Sequence, residues 1–240
     1  MSFRNEVRSW LSPQRAGSQL ALAMLVVSLL TIASSTIAAN VLLSPHLVLR
    51  EYKLWLVASW LLALPHSPLS LIFGCIIAVQ SGAFLEDRLG RRRFFSVFIG
   101  NGLVTAGVLL LVSLRSPHVA VSSFDGGWVL INCMWVTQGL LIGPGKLNFW
   151  GLPVSGYAFA AIGVAFACYP LLVGAWVVAL PSLVALALTF AWFYGITPAN
   201  AWLRLRSWQL SRQLNRRSSH LKVISGDKRN MPNDSDRFLH

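Results

Sequence analysis

Apolar residues run through this chain in six long stretches, near residues 18–42, 69–86, 94–114, 128–143, 152–174 and 177–197. Uninterrupted apolar stretches of about 18 residues are typical of helices that cross a membrane. The pattern therefore predicts an all-α polytopic membrane protein with six transmembrane helices.

The segment between the first two stretches has a different pattern. Its sequence, "LSPHLVLREYKLWLVASWLLALPHSP" (residues 43–68), mixes Trp and Leu with Arg50, Glu51 and Lys53. Tryptophan side chains anchor at the depth of the lipid headgroups, so we expect an interfacial loop between helices one and two. The alternative is an additional span, for which the apolar run 54–64 is too short.

Composition supports a membrane protein. Of the 240 residues, 55% are hydrophobic and 12% are charged, whereas soluble proteins carry about 25% charged residues. The formal net charge of +12 comes from basic residues that cluster at the ends of the apolar stretches, so we expect no nucleic-acid partner. The three cysteines lie inside apolar stretches without metal-binding spacing, and no metal or other cofactor is expected.

The distribution of basic residues predicts the orientation. With six spans, 17 of the 20 Lys and Arg residues fall on one side of the membrane. Because positive residues stay in the cytoplasm, both termini are expected to be cytoplasmic. The short loops and few cysteines favour a bacterial inner membrane. A cleaved signal peptide is the alternative for the first stretch, but a small-x-small cleavage site is lacking.

The chain divides into four predicted regions. Residues 1–17 form a basic cytoplasmic N-terminus, and residues 18–200 form the membrane domain. Residues 201–225 place leucines three to four positions apart among arginines, which predicts an amphipathic helix on anionic lipid headgroups or an extension of helix six. Residues 226–240 are polar and without periodicity, and are expected to be disordered.

Several short motifs resemble the rhomboid family of intramembrane serine proteases over residues 45–200. One is a tryptophan in the interfacial loop followed by the pattern G-x-x-L-E…G-x-x-R-F, here Trp55, Gly82, Leu85, Glu86, Gly90, Arg93 and Phe94. Another is a ladder of small residues at spacing four that lets helix six pack closely, here Ala187, Ala191 and Gly195. The resemblance implies a six-helix rhomboid-like bundle in which Glu86 ties helix ends together. Pairing of Glu86 with Arg88 or Arg91 is the alternative.

The catalytic residues of that family are absent. The family uses a serine at the start of helix four, a histidine on helix six, and a His and an Asn on helix two. The corresponding positions here are Gly126, Val184, Ser70 and Gly74. A serine nucleophile needs a base, and no histidine occurs between residues 119 and 219. The resemblance thus implies a derlin-like pseudoprotease that binds transmembrane helices of client proteins.

Two other functions stay open. An intramembrane serine endopeptidase with a non-standard site would need one of the other serines, such as Ser122, Ser123 or Ser155. A small-solute transporter is disfavoured because no ionisable residue lies in mid-span.

The outward histidines His46, His66 and His118 show no ligand spacing. Four polar residues and two tryptophans could contact a client or serve packing between helices, namely Asn101, Asn132, Thr137, Gln138, Trp128 and Trp135.

Overall fold

The computed structural model describes residues 15–64, 67–149 and 152–195, and most of these are helical. The helices are α1 (Ala16–Ala33), α2 (Ser35–Ala39), α3 (Pro45–Glu51), α4 (Leu56–Ser59), α5 (Pro68–Leu89), α6 (Arg91–Ser113), α7 (Pro117–Val121), α8 (Gly127–Ile142), α9 (Gly156–Leu172) and α10 (Trp176–Phe193). A 3₁₀ turn spans Trp60–Leu62, and two strands are β1 (Lys146–Phe149) and β2 (Leu152–Ser155). Residues 1–14, His66 and the predicted regions 201–225 and 226–240 lie outside the described residues.

Among the described residues, four helices are long and apolar enough to cross a membrane, namely α1, α5, α6 and α10. Helices α8 and α9 are apolar but shorter, with 16 and 17 residues. The prediction of a helical membrane protein is confirmed at this level. The segment 43–64 holds only short helices, the longest of seven residues, so the alternative of an additional span there is wrong.

Three predicted boundaries are corrected. The first stretch does not continue to residue 42, because Ser34 is extended (φ −148°, ψ 121°) and its Oγ accepts a hydrogen bond from Ile37 N to begin α2. The fifth does not start at residue 152, because Leu152–Ser155 is a strand. The sixth helix ends at Phe193, ahead of a left-handed Gly195 (φ +68°). Hydropathy measures composition, whereas caps and turns decide where a helix ends.

Helices α1 and α5 are joined closely at one end. A Cβ atom added to Gly82 would lie 2.5 Å from Cα of Gly17, so only two glycines allow this approach. The first amide of α1, Ala16 N, donates a 2.7 Å hydrogen bond to Glu86 Oε2 near the end of α5. Gly90 (φ +78°) then turns the chain directly into α6. We call this side, which carries Arg15, Arg88 and Arg91–Arg93, the arginine end.

Helix α8 lies at the centre of the bundle. Twelve of its 16 residues are buried, including the whole of Val129–Gly139, and it packs against α5, α6, α9 and α10. A helix that is apolar on every side suits such a central position. The amides of Gly126 and Gly127 donate 2.8 Å hydrogen bonds to the carbonyls of Trp60 and Ala63. Since residues 60–63 precede α5, α8 begins at the end of the bundle opposite the arginine end.

A β-hairpin between α8 and α9 was not predicted. Strands β1 and β2 pair antiparallel, with Lys146 opposite Ser155 and Leu147 opposite Val154. The hairpin lies at the arginine end because α8 runs towards it. Strands of four residues are too short to give a hydropathy signal of their own.

Candidate functional site

The position predicted for a rhomboid-type nucleophile has no room for a side chain. A Cβ atom added to Gly126 would lie 2.5 Å from Cε3 and 2.7 Å from Cδ2 of Trp60. Trp60 is fully buried, and the hydrogen bond from Gly126 N to its carbonyl fixes it against the start of α8. The indole therefore takes the space that a serine would need.

The other three positions that correspond to catalytic residues of that family also lack an open site of the cavity kind described next. A Cβ atom on Gly74 would lie 3.0 Å from methyl groups of both Ile131 and Leu64, so this position is filled by hydrophobic packing. Ser70 on α5 and Val184 on α10 are half-buried. None of the four lines the cavity found beside the start of α8.

This cavity, which we call the α8 cavity, has a volume of about 520 Å³ and lies between α8, α9, α10 and the segment before α8. Its polar wall consists of Ser122, Ser123, Asp125, Asn132 and Ser182. Its apolar wall includes Trp128, Phe166, Pro170, Val178 and Pro181. A mostly apolar space of this size with a few polar groups is typical of a ligand-binding site.

Helices α8 and α9 approach closely at the arginine end, and the α8 cavity lies towards their other end. A Cβ atom on Gly139 would lie 2.6 Å from Ala160 N, and one on Gly156 would lie 2.5 Å from the carbonyl oxygen of Gly139. Towards the opposite end, the ring of Trp135 stands between the helices, 5.7 Å from the ring of Phe166. Glycine contact gives way to large side chains along α8, and the two helices separate.

Prolines shape the open end. Pro170 lies inside α9 and Pro181 lies inside α10, and both line the cavity. Proline within a helix removes a backbone hydrogen bond and favours a bend. Both helices can thus deviate from straight packing where the cavity opens.

Asn132 is the most buried polar residue of the cavity wall. It is only 4% exposed, and its Oδ1 has no hydrogen-bond partner among the described residues. Leaving a buried acceptor unpaired costs about 1–3 kcal/mol. Asn132 thus adds an unsatisfied buried acceptor beside the cavity.

Asn101 has a structural role. Its Nδ2 donates to the carbonyl of Ala185 at 3.0 Å and to Thr189 Oγ1 at 2.8 Å, which ties α6 to α10. Thr137 likewise donates to the carbonyl of Cys133 within α8. For these two residues the structure favours bonding within the bundle over contact with a client. Gln138 is buried in α8.

The small-residue ladder predicted for helix six is corrected. Ala187 is exposed, Ala191 is half-buried, and Gly195 follows the end of α10. The buried face of α10 consists instead of Ala179, Pro181, Ala185, Leu186 and Thr189. Spacing by itself leaves the rotation of a helix open, and in the structure Asn101 bonds to the face of α10 that carries Ala185 and Thr189.

The motif around Glu86 holds the arginine end together. Besides the bond from Ala16 N to Glu86, Arg15 pairs with Asp87 at 3.1 Å. Arg91 Nη2 donates to Gln19 Oε1 at 2.6 Å, and Arg88 lies 5.5 Å from the centre of the Phe84 ring. These contacts favour the role of Glu86 in tying helix ends.

Other members of the same motif pack or turn the chain. Leu85 and Phe94 are fully buried, whereas Arg93 is exposed. Trp55 is 55% exposed, and its Nε1 donates to the carbonyl of Asn40 at 3.1 Å.

The remaining sequence candidates serve local structure. Ser155 Oγ accepts a hydrogen bond from Ala158 N and caps α9, and Ser122 Oγ donates to the carbonyl of His118 at 2.7 Å. Within the described ranges, no group of three or more His, Cys, Asp or Glu residues could hold a metal ion. Comparison of the chain with protein-family models, curated proteins and solved structures gave no match.

Proposed function

We propose that this protein is a rhomboid-like, six-helix pseudoprotease of a bacterial inner membrane, with both termini in the cytoplasm. It binds transmembrane helices of client proteins and does not use Ser-His peptidase chemistry. The observation that carries the proposal is the packing of Trp60 on Gly126 beside a cavity that stays open. The α8 cavity leaves space for a client helix, whereas the Trp60 ring fills the position of the nucleophile.

The enclosure of α8 supports the count of six spans. A helix of 16 residues is about 24 Å long, shorter than the roughly 30 Å hydrocarbon core. Because α8 is surrounded by other helices and its start is bonded to residues 60–63, it does not need to match the lipid thickness. In this topology the arginine end faces the cytoplasm, as the positive-inside rule requires.

The cavity is accessible from the side of the bundle. Phe166 on α9 and Val178 on α10 line the cavity and are also 56% and 61% exposed. Both residues lie on apolar helices, where lipid or another transmembrane helix would contact them. A client helix can therefore reach the cavity laterally, between α9 and α10, and be held by packing and a few hydrogen bonds.

A serine endopeptidase is the second candidate because three serines and Asp125 line the same cavity. A hydroxyl becomes a nucleophile only with a positioned base and with donors for the oxyanion. The hydroxyl of Ser122 already donates to the carbonyl of His118, which leaves Ser123 and Ser182 as the hydroxyls to test.

The test uses the purified protein in lipid nanodiscs and a fluorescent model transmembrane peptide. We expect saturable binding by energy transfer, no cleavage and no fluorophosphonate labelling, with an active rhomboid protease as the positive control. Ser182→Trp fills the cavity and should abolish binding. Ala187→Trp, on an exposed position of the same helix, should leave binding intact.

Two results would contradict the proposal. Fluorophosphonate labelling that disappears on replacing Ser123 or Ser182 would identify that serine as a nucleophile, and cleavage of the peptide lost in the same variant would establish the endopeptidase. Absence of saturable peptide binding in a monodisperse, thermally stable sample would exclude a client-binding function.

A further inference from the structure

The two ends of the described bundle differ in charge. The arginine end carries six basic and two acidic residues, which are Arg15, Arg88, Arg91, Arg92, Arg93 and Lys146 with Glu86 and Asp87. The opposite end carries three basic and two acidic residues, which are Arg50, Lys53 and Arg115 with Glu51 and Asp125. Positive charge therefore accumulates at the arginine end.

The arginines of this end differ in whether they have a partner. Arg15 pairs with Asp87 at 3.1 Å, and Arg91 donates a 2.6 Å hydrogen bond to a glutamine side chain on α1. Arg92 and Arg93 are both exposed, and no side chain of the described residues pairs with either guanidinium group. These two cations are open to a group from outside the bundle.

The carboxylates of the chain are poorly suited to fill this gap. Glu86 accepts the amide of Ala16 at 2.7 Å, and Asp87 already pairs with Arg15. The segments 1–14 and 196–240, which lie outside the described residues, contain eleven basic and only four acidic residues. Because these segments have the same sign of charge as the arginine end, we expect the anion to come from another molecule.

The position of Arg92 and Arg93 indicates the kind of anion. Both lie in the first turn of α6, directly before the buried Phe94 and the apolar remainder of this membrane-length helix. One helical turn is only about 5.4 Å long, so the guanidinium groups lie at the boundary between the apolar layer and water. Phospholipid headgroups occupy this boundary, and a guanidinium group can bind a phosphate through two parallel hydrogen bonds.

The direction of α6 increases the need for an anion. The start of a helix carries a partial positive charge and favours acidic side chains in the first turn. The first turn of α6 has no acidic residue and begins with three arginines. A phosphate group at this surface would offset charge that the chain itself leaves uncompensated.

We propose that Arg92 and Arg93 form a binding surface for the phosphate groups of anionic phospholipids, to which the exposed Arg88 contributes. This surface anchors the junction of α5 and α6 in the headgroup layer. It is separate from the amphipathic segment predicted at 201–225, and it does not depend on what the α8 cavity binds.

The experiment counts the lipids that the detergent-solubilised full chain retains in native mass spectrometry, from an equal mixture of phosphatidylglycerol and phosphatidylcholine. We expect Arg92→Gln/Arg93→Gln to lose about one phosphatidylglycerol, because two groups that hold phosphate are gone. Phosphatidylcholine, whose headgroup has no net charge, should be retained equally by both proteins. An unchanged number of phosphatidylglycerol molecules would overturn the proposal.

Arg50→Gln/Arg115→Gln is the matched control, since it removes the same charge from exposed positions at the opposite end. It should retain phosphatidylglycerol as the unchanged protein does. An equal loss in both double variants would show that net charge alone attracts the lipid, and would overturn the assignment to this surface.

Thermal unfolding without anionic lipid tests for a structural role. Because Arg92 and Arg93 have no side-chain partner among the described residues, their replacement should leave the melting temperature unchanged. A lowered melting temperature would mean that both arginines serve the fold, and would overturn the proposal.

Competition distinguishes a lipid from soluble anions. Free glycerol 3-phosphate and a polyglutamate peptide should not displace phosphatidylglycerol at millimolar concentration, because acyl chains also hold the lipid on the protein. Displacement by glycerol 3-phosphate would assign the surface to a soluble phosphate compound, and displacement by polyglutamate would assign it to an acidic protein partner. Either result would overturn the proposal.

Discussion

The two ends of the bundle are built by opposite means. At the arginine end, helices touch through glycines, with Gly17 on Gly82 and Gly139 on Gly156, and the amide of Ala16 bonds to Glu86. At the opposite end, α8 and α9 are separated by large side chains, and the space between them and α10 is the α8 cavity. One end is closed by backbone contact, and the other is left open.

The difference teaches how this fold makes room for a cavity. Glycines at the arginine end bring helix backbones into contact, whereas prolines within α9 and α10 line the other end and favour bends there. Unpaired buried acceptors do not distinguish the two ends, since Asn132 lines the cavity and Gln138 lies next to Gly139 at the arginine end.

The largest effect is expected from breaking the closed end. Gly156→Val places a side chain against backbone atoms of Gly139 and Gly143, which cannot move aside, so we expect a destabilisation of about 3 kcal/mol or more. Thermal unfolding in detergent and size-exclusion chromatography measure the effect.

Gly107→Val on α6 is the control for this substitution, since nothing lies within 4 Å of a Cβ atom there. Equal melting temperatures for the two variants would refute close helix contact at Gly156.

The next largest effect concerns the closed nucleophile position. Gly126→Ser should destabilise the protein by about 1–3 kcal/mol, because the new side chain overlaps the Trp60 ring. It should not create fluorophosphonate labelling, since α8, α9 and α10 contain no histidine to activate the hydroxyl. Labelling of Gly126→Ser above the background of the unchanged protein would show that an intact catalytic environment surrounds this position.

A smaller effect is expected at the tie between α1 and α5. Glu86→Ala removes the acceptor of the Ala16 amide and should lower the free energy of unfolding by about 1–2 kcal/mol. Glu51→Ala breaks an exposed pair with Lys53 and should change it by less than about 1 kcal/mol. If the two variants unfold at the same temperature, Glu86 has no tying role.

The smallest change in stability is expected at the open end, and it has the opposite sign. Asn132→Leu replaces an unpaired buried amide with an apolar group, so it should stabilise the protein by about 1 kcal/mol while it weakens peptide binding. Asn101→Leu, which loses bonds to Ala185 and Thr189, should destabilise instead. A destabilised Asn132→Leu would mean that this amide is needed for the fold.

Particular residues show how far the sequence could be interpreted. The four long helices follow from runs of apolar residues along the chain. Gly82 belongs to the motif that the sequence analysis named, and the structure places it against Gly17. The cavity was missed, although Ser122, Ser123, Asn132 and Trp128 had been singled out, because nothing in their spacing shows that they share a wall.

The sequence by itself determined that the chain is helical and suited to a membrane, since hydropathy and charge are properties of each residue and add along the chain. Only the tertiary structure decided the rotation of α10, the hairpin at Lys146–Ser155, the position of Trp60 on Gly126 and the opening between α8 and α9. Each of these depends on contacts between residues distant in sequence. Such contacts form only once the helices have packed, which is why the candidate site had to be found in three dimensions.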